Sequence, residues 1–88
     1  MKLSYLKSFE KATSKIRDKK LALAIYFAIQ SVKQASNLAE IPNLKKLKGF
    51  SNAYRLRVGD YRIGMLIEND TVFLSAFDHR KDIYKKFP

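Results

Sequence analysis

The stretch YRLRVGDYRIGM, Tyr54 to Met65, sets Arg55, Arg57 and Arg62 among residues that favour β-sheet. Guanidinium groups stay charged and present a rigid fork of donors, which suits them to phosphate oxygens and makes them poor proton carriers. Further along, DHRKDIYKKF adds His79, Arg80 and Tyr84. The chain has a single histidine, and imidazole is the side chain that titrates near neutrality without a large perturbation. Aromatic faces stack nucleobases, so arginines beside Phe73, Phe77 and Tyr84 describe a groove for single-stranded nucleic acid. A lone arginine is explained by its stem covering apolar surface with the charged head in water. Three on one hairpin need more, because like charges opposed on a sheet cost a few tenths to about 1 kcal/mol per pair.

The elements that must position these groups follow from periodicity. Lys2 to Leu6 reads as a short first strand, and from Ser8 to Arg17 the residues Phe9, Ala12 and Ile16 fall at helical spacing. After the polar RDKK, Leu21, Ile25, Ile29 and Val32 make the stripe of a second helix ending near Asn37 or Leu38, with Pro42 blocking continuation. NLKKLKGF reads as a connecting segment. Strands are predicted over 53–58, 61–68 and 71–77, joined by two-residue turns at Gly59-Asp60 and Asn69-Asp70. Those turns place Tyr54, Leu56, Val58, Tyr61, Ile63, Met65, Val72, Leu74 and Ala76 on a core face. Arg57 then opposes Arg62 and Arg55 opposes Gly64 on the other face, which also receives Leu66, Phe73, Ser75, Phe77 and the continuing His79. Gly64 leaves space beside the arginines. The expected fold class is α+β: a short N-terminal strand and two antiparallel helices packed on one face of an antiparallel β-meander, in the order β-α-α-β-β-β.

Composition agrees with a phosphate-binding role. A formal net charge of +10 on 88 residues, shared about equally between the two sides of Asn43, belongs to the folded body and not to a basic tail. Residues 1–88 make one domain with one modest core. With no cysteine, disulfides, thiolate zinc sites and a cysteine nucleophile are excluded. The longest apolar run, LALAIYFAI, is too short to span a bilayer, and the charged N-terminal stretch makes a poor signal peptide, so no membrane role and a cytoplasmic location are expected.

LKGFSNAYRLRVGDYRIGMLIENDTVFLSAFDHRKDIYKKF, Leu47 to Phe87, resembles the RelE/ParE toxin superfamily. A Leu-x-Gly element, a Tyr-Arg-x-Arg-x-Gly-x-Tyr-Arg hairpin and a late His-Arg-Lys-x-x-Tyr recur there. The resemblance implies a RelE-like ribosome-dependent endoribonuclease that cuts mRNA in the ribosomal A site, inhibits translation and is neutralised by a cognate RelB-like antitoxin in a hetero-oligomer. It implies a metal-independent and cofactor-free attack of the ribose 2′-hydroxyl on phosphorus, giving a 2′,3′-cyclic phosphate. By position, Arg57, Arg62, His79, Arg80 and Tyr84 form the expected catalytic set: Arg57, Arg62 and Arg80 for phosphate and transition-state charge, His79 for proton transfer, Tyr84 for base positioning. Lys45, Lys46, Lys48, Arg55, Phe77 and Lys81 are the expected RNA-binding residues. Arginines stand where RelE members often carry strand lysines, which leaves the general base open. Two other functions stay in play, a ParE-like gyrase-inhibiting toxin without ribonuclease activity and a non-catalytic RNA-binding module.

Overall fold

The computed structural model describes residues Met1–Pro88. Five strands form one mixed sheet: β1 (Lys2–Tyr5), β2 (Leu44–Lys46), β3 (Ala53–Val58), β4 (Tyr61–Glu68) and β5 (Thr71–His79). Their order is β1-β5-β4-β3-β2, with β1 parallel to β5 and the other pairs antiparallel. Helices α1 (Lys7–Thr13) and α2 (Lys19–Gln34) cover one face.

α1 is shorter than the predicted 8–17. Thr13 Oγ1 and Ser14 Oγ donate to the Phe9 and Lys11 carbonyls, a local alternative to further helix. Asp18, within the polar break, caps α2 by accepting from the backbone N–H groups of Lys20 and Leu21, a contact of the kind that contributes about 1 kcal/mol. α2 ends at Gln34, short of Asn37, because Ala35 turns extended and the Met1 ammonium donates to the carbonyls of Lys33 and Ala35. The segment expected to be a connection holds β2, whose Lys45 pairs with Arg55 at the open edge of the sheet. Lysines are a common guard on such an edge, and a three-residue strand with one apolar side chain leaves no alternation to read.

Both turns lie where predicted, with Gly59 and Asn69 at φ of 60° and 55°. The β3–β4 register is the expected one, with Arg57 opposite Arg62. β4–β5 begins as expected and then slips: Met65 pairs with Leu74, but Gly64 pairs with Ala76, so Ser75 is a bulge without a partner. Beyond it every side chain changes face. Ala76 and Asp78 point to the outer side, while Phe77 and His79 turn toward the helices, contrary to the expected alternation. The gain is aromatic burial. Phe77 is only 7% exposed and stacks on Tyr61 at 5.1 Å, whereas Ala76 would have left that space unfilled.

The main core joins Leu56, Ile63, Met65, Val72 and Leu74 of the sheet to Phe9, Ile25, Ile29 and Val32 of the helices. Each fully buried side chain of this size contributes roughly 1.5–3 kcal/mol. A second, smaller core lies on the outer face. There a 3-10 turn at Ile83–Lys85 and the residues after it fold back, burying Ile83 and Phe87 against Ala53 with Leu47, Leu66 and Ala76 around them. The C-terminal segment is therefore a fixed strap and not a free tail.

Candidate functional site

The outer face of the sheet is divided between two uses. One half is the apolar seat of the strap. The other is a concavity of about 480 Å3 into which β2, β3, β4 and the end of β5 deliver Lys45, Arg55, Arg57, Arg62 and Arg80, with no carboxylate among the residues that line it. Arg57 and Arg62 arrive by direct cross-strand pairing, and Arg80 is placed by its backbone N–H, which donates to the Asp60 carbonyl at 2.8 Å.

None of these arginines has a carboxylate within ion-pair distance, since the two ion pairs of the molecule are Lys85–Asp82 and Lys86–Asp78. Arg62 Nη1 donates to the carbonyls of Gly59 and Tyr61 at 3.0 and 2.9 Å, which fixes the guanidinium against the turn and leaves its other donors for a ligand. Opposed cations with no protein anion make a site whose electrostatics favour a bound anion. Arg55 differs from the others. Its Nη2 donates to the Phe87 carbonyl at 3.2 Å and its Nε is buried with no partner, so it ties the strap to β3 while lining the cavity.

Four sequence expectations change. Phe77 lies in the helix-side core and offers no face to a base. His79 pairs with Tyr61, edge-on to that ring at 5.4 Å, and its Nδ1 accepts from the Lys81 backbone N–H; it sits on the helix side and does not line the arginine cavity. The slip at Ser75 causes both. The space over Gly64 is filled by the Phe87 ring and is not open to substrate. Lys46 falls in register with Tyr54 on the helix side of edge strand β2, away from the cavity. Lys48 and Lys81 are exposed outside the cavity lining, and Tyr84 is 62% exposed beside Ile83, which does line it.

The alternation rule missed one group altogether. Asp78 stands opposite Arg62 on the outer face, and Lys86 from the strap binds its Oδ2 at 2.8 Å. The only cue in the sequence is its place beside His79 and Arg80. The Lys86 hydrogen bond holds the Asp78 carboxyl below its ordinary 3.8, and the backbone N–H of His79 adds to this, against the opposing pull of burial. Lys86 is held above its ordinary 10.5 by the same contact. A lowered carboxyl stabilises the fold above 3.8 and loses that contribution as pH falls through its folded value; a raised amine contributes below 10.5 and loses it as pH rises through its own. In a His79→Gln variant, which removes the one imidazole beside Asp78, the Ile83 methyl and Phe87 ring resonances should thus stay constant from about pH 5 to about pH 9 and move only toward the acid and alkaline extremes. A transition near neutrality would contradict this ion pair.

The larger hollow, about 670 Å3, lies between α1 and β5 and mixes Lys11, Lys15 and Arg17 with Asp18 and Asp78. Its charges are of both signs, so the smaller arginine cavity is the more selective for an anion.

The family model for the ParE toxin of the type II toxin-antitoxin system parDE matches residues 3–84. The chain belongs to the RelE/ParE toxin family. Toxin RelE3 of Methanocaldococcus jannaschii is 35% identical over 89 residues, covering 100% of both chains. The toxin fold recurs in the crystal structure of a RelB-RelE antitoxin-toxin complex from Methanococcus jannaschii, with a TM-score of 0.78, 33% identity and coverage of 96% of this chain and 98% of that one. An archaeal RelE-RelB complex from Pyrococcus horikoshii shares the fold at a TM-score of 0.72 and 19% identity, over 90% of this chain and 93% of that one. As in its relatives, two helices rest on a mixed five-stranded sheet. No helix of the toxin is long and apolar enough to cross a membrane.

Proposed function

We propose that this toxin is a ribosome-dependent endoribonuclease that cuts mRNA in the ribosomal A site and is held inactive in the cytoplasm by a cognate RelB-like antitoxin. The observation that carries the proposal is the convergence of Arg57, Arg62 and Arg80, unpaired by any carboxylate, on one cavity. In the expected reaction the 2′-oxygen bonds to the adjacent phosphorus, the bond from phosphorus to the 5′-oxygen breaks, and the products are a 2′,3′-cyclic phosphate and a 5′-hydroxyl. The 2′-hydroxyl proton leaves to a base and a proton reaches the departing oxygen. Negative charge grows on the phosphoryl oxygens, and fixed guanidinium donors aimed there contribute about 10²–10³ in rate each.

Arg57, Arg62 and Arg80 supply that charge. Lys45 and Arg55 extend the cationic wall toward the sheet edge, Lys48 and Lys81 add exposed cations beyond it, and the exposed ring of Tyr84 stacks a base beside the scissile phosphate. His79, on the far side of the sheet, has no place in this cavity, so proton transfer falls to another group of the toxin, the substrate or the ribosome. The partner is inferred from the RelB-RelE complexes of its relatives and from the net charge of +10, which complements an acidic antitoxin.

The ParE name of the family model favours a second activity, inhibition of gyrase. Primer extension on mRNA from cells induced for the toxin separates the two. Cuts within codons of translated messages, abolished by blocking initiation, are the expected result; gyrase-linked DNA breaks with intact mRNA would establish the second activity, and RNA binding with neither outcome a non-catalytic module.

A further inference from the structure

Asp78 borders the arginine cavity without lining it, and with Lys86 it lines the neighbouring hollow between α1 and β5. It faces Arg62 directly across β4 and β5, at a separation where opposed Cβ atoms lie roughly 5 Å apart, within easy reach of a guanidinium. Yet the two do not pair. Both carboxylate oxygens are already engaged, Oδ1 by the backbone N–H of His79 at 2.7 Å and Oδ2 by Lys86 at 2.8 Å. Lys86 itself is placed by its neighbours. Its backbone N–H and that of Phe87 both donate to the Ile83 carbonyl, and the Phe87 ring is locked over Gly64, so the ammonium group is delivered to the β5 edge by a buried anchor.

We propose that Lys86 is a positioning residue of the arginine site: by holding Asp78 it keeps the carboxylate off Arg62 and leaves the free donors of Arg62 for an RNA phosphate. The strap thereby sets the charge of the cavity as well as covering the apolar half of the face. This rests on the RNA-binding function proposed above. Without Lys86, Asp78 becomes an internal competitor for the same guanidinium, and the neutral isostere at 78 removes that competitor.

The test measures binding of a single-stranded 2′-O-methyl RNA, which cannot be cleaved, to the full chain and to Lys86→Met, Asp78→Asn, the double variant and Arg62→Ala. The expected pattern is a loss of about tenfold for Lys86→Met, since a charge-assisted contact is at stake. Asp78→Asn should bind at least as well as the parent, and the double variant should return to within about threefold of it. A purely structural latch predicts otherwise, because both single variants break the same ion pair and would weaken binding alike. The proposal is overturned if Asp78→Asn is as weak as Lys86→Met, if the double variant is not rescued, or if Lys86→Met binds like the parent. If Arg62→Ala also binds like the parent, the RNA-binding function of the cavity fails together with the role of Lys86; a weak Arg62→Ala with a flat cycle defeats the role of Lys86 alone.

Discussion

Arg62→Ala should cut the single-turnover rate of mRNA cleavage on the ribosome by about 10²–10³ while leaving the thermal midpoint unchanged or slightly raised. The two halves of that result share a cause. Arg62 is directly opposite Arg57 with no carboxylate bound to either, so the folded protein carries a repulsion that relaxes when one charge is removed. What is lost, hydrogen bonds to the carbonyls of Gly59 and Tyr61 at an exposed turn, water replaces readily. Lysine at 62 restores the charge but not the fork, and its rate should fall between parent and alanine. A rate within about threefold of the parent for Arg62→Ala would show that the transition-state charge is met elsewhere.

Gly64→Ala should lower stability by about 1–3 kcal/mol, a fall of roughly 4–8 °C in midpoint for each kcal/mol. A Cβ at this position would lie 2.5 Å from Phe87 Cγ and Cδ2, and the ring has no free side to move to, since Phe87 is 3% and Ile83 1% exposed. Expelling the ring uncovers the outer core and releases the strap that carries Tyr84 and Lys86. Phe87→Ala alone should cost about 3–5 kcal/mol, and Gly64→Ala added to it almost nothing more, because the clash is then gone. Urea denaturation of the two single variants and the double one checks this; additive losses would mean that Gly64 matters for its own backbone and not for the ring above it.

The parts of the fold that local rules control were legible in the sequence. Gly59-Asp60 and the alternation from Tyr54 to Met65 gave the β3–β4 register residue by residue, and with it the pairing of Arg57 and Arg62. The stripe through Ile25, Ile29 and Val32 identified the buried side of α2. What escaped depends on contacts distant in sequence. VFLSAFDH alternates as well with Ala76 inward as with Phe77 inward, and only Tyr61 on the neighbouring strand decides for the larger ring. One extra residue at Ser75 therefore moved His79 off the outer face and set Asp78 opposite Arg62, beside the cavity. β2 was hidden because an edge strand of three residues owes its existence to β3. Gly64 was conspicuous, but its occupant comes from 23 positions further along the chain.

The claim on which the rest depends is that one cavity on the outer face receives the RNA backbone. The most direct measurement is the guanidinium Nε–Hε spectrum of the toxin titrated with a 2′-O-methyl single-stranded RNA. Arg57, Arg62 and Arg80 should shift together along a single saturation curve, with Arg17 in the α1–α2 connection unmoved. A saturable shift of Arg17, with the three outer-face arginines silent, would contradict the account.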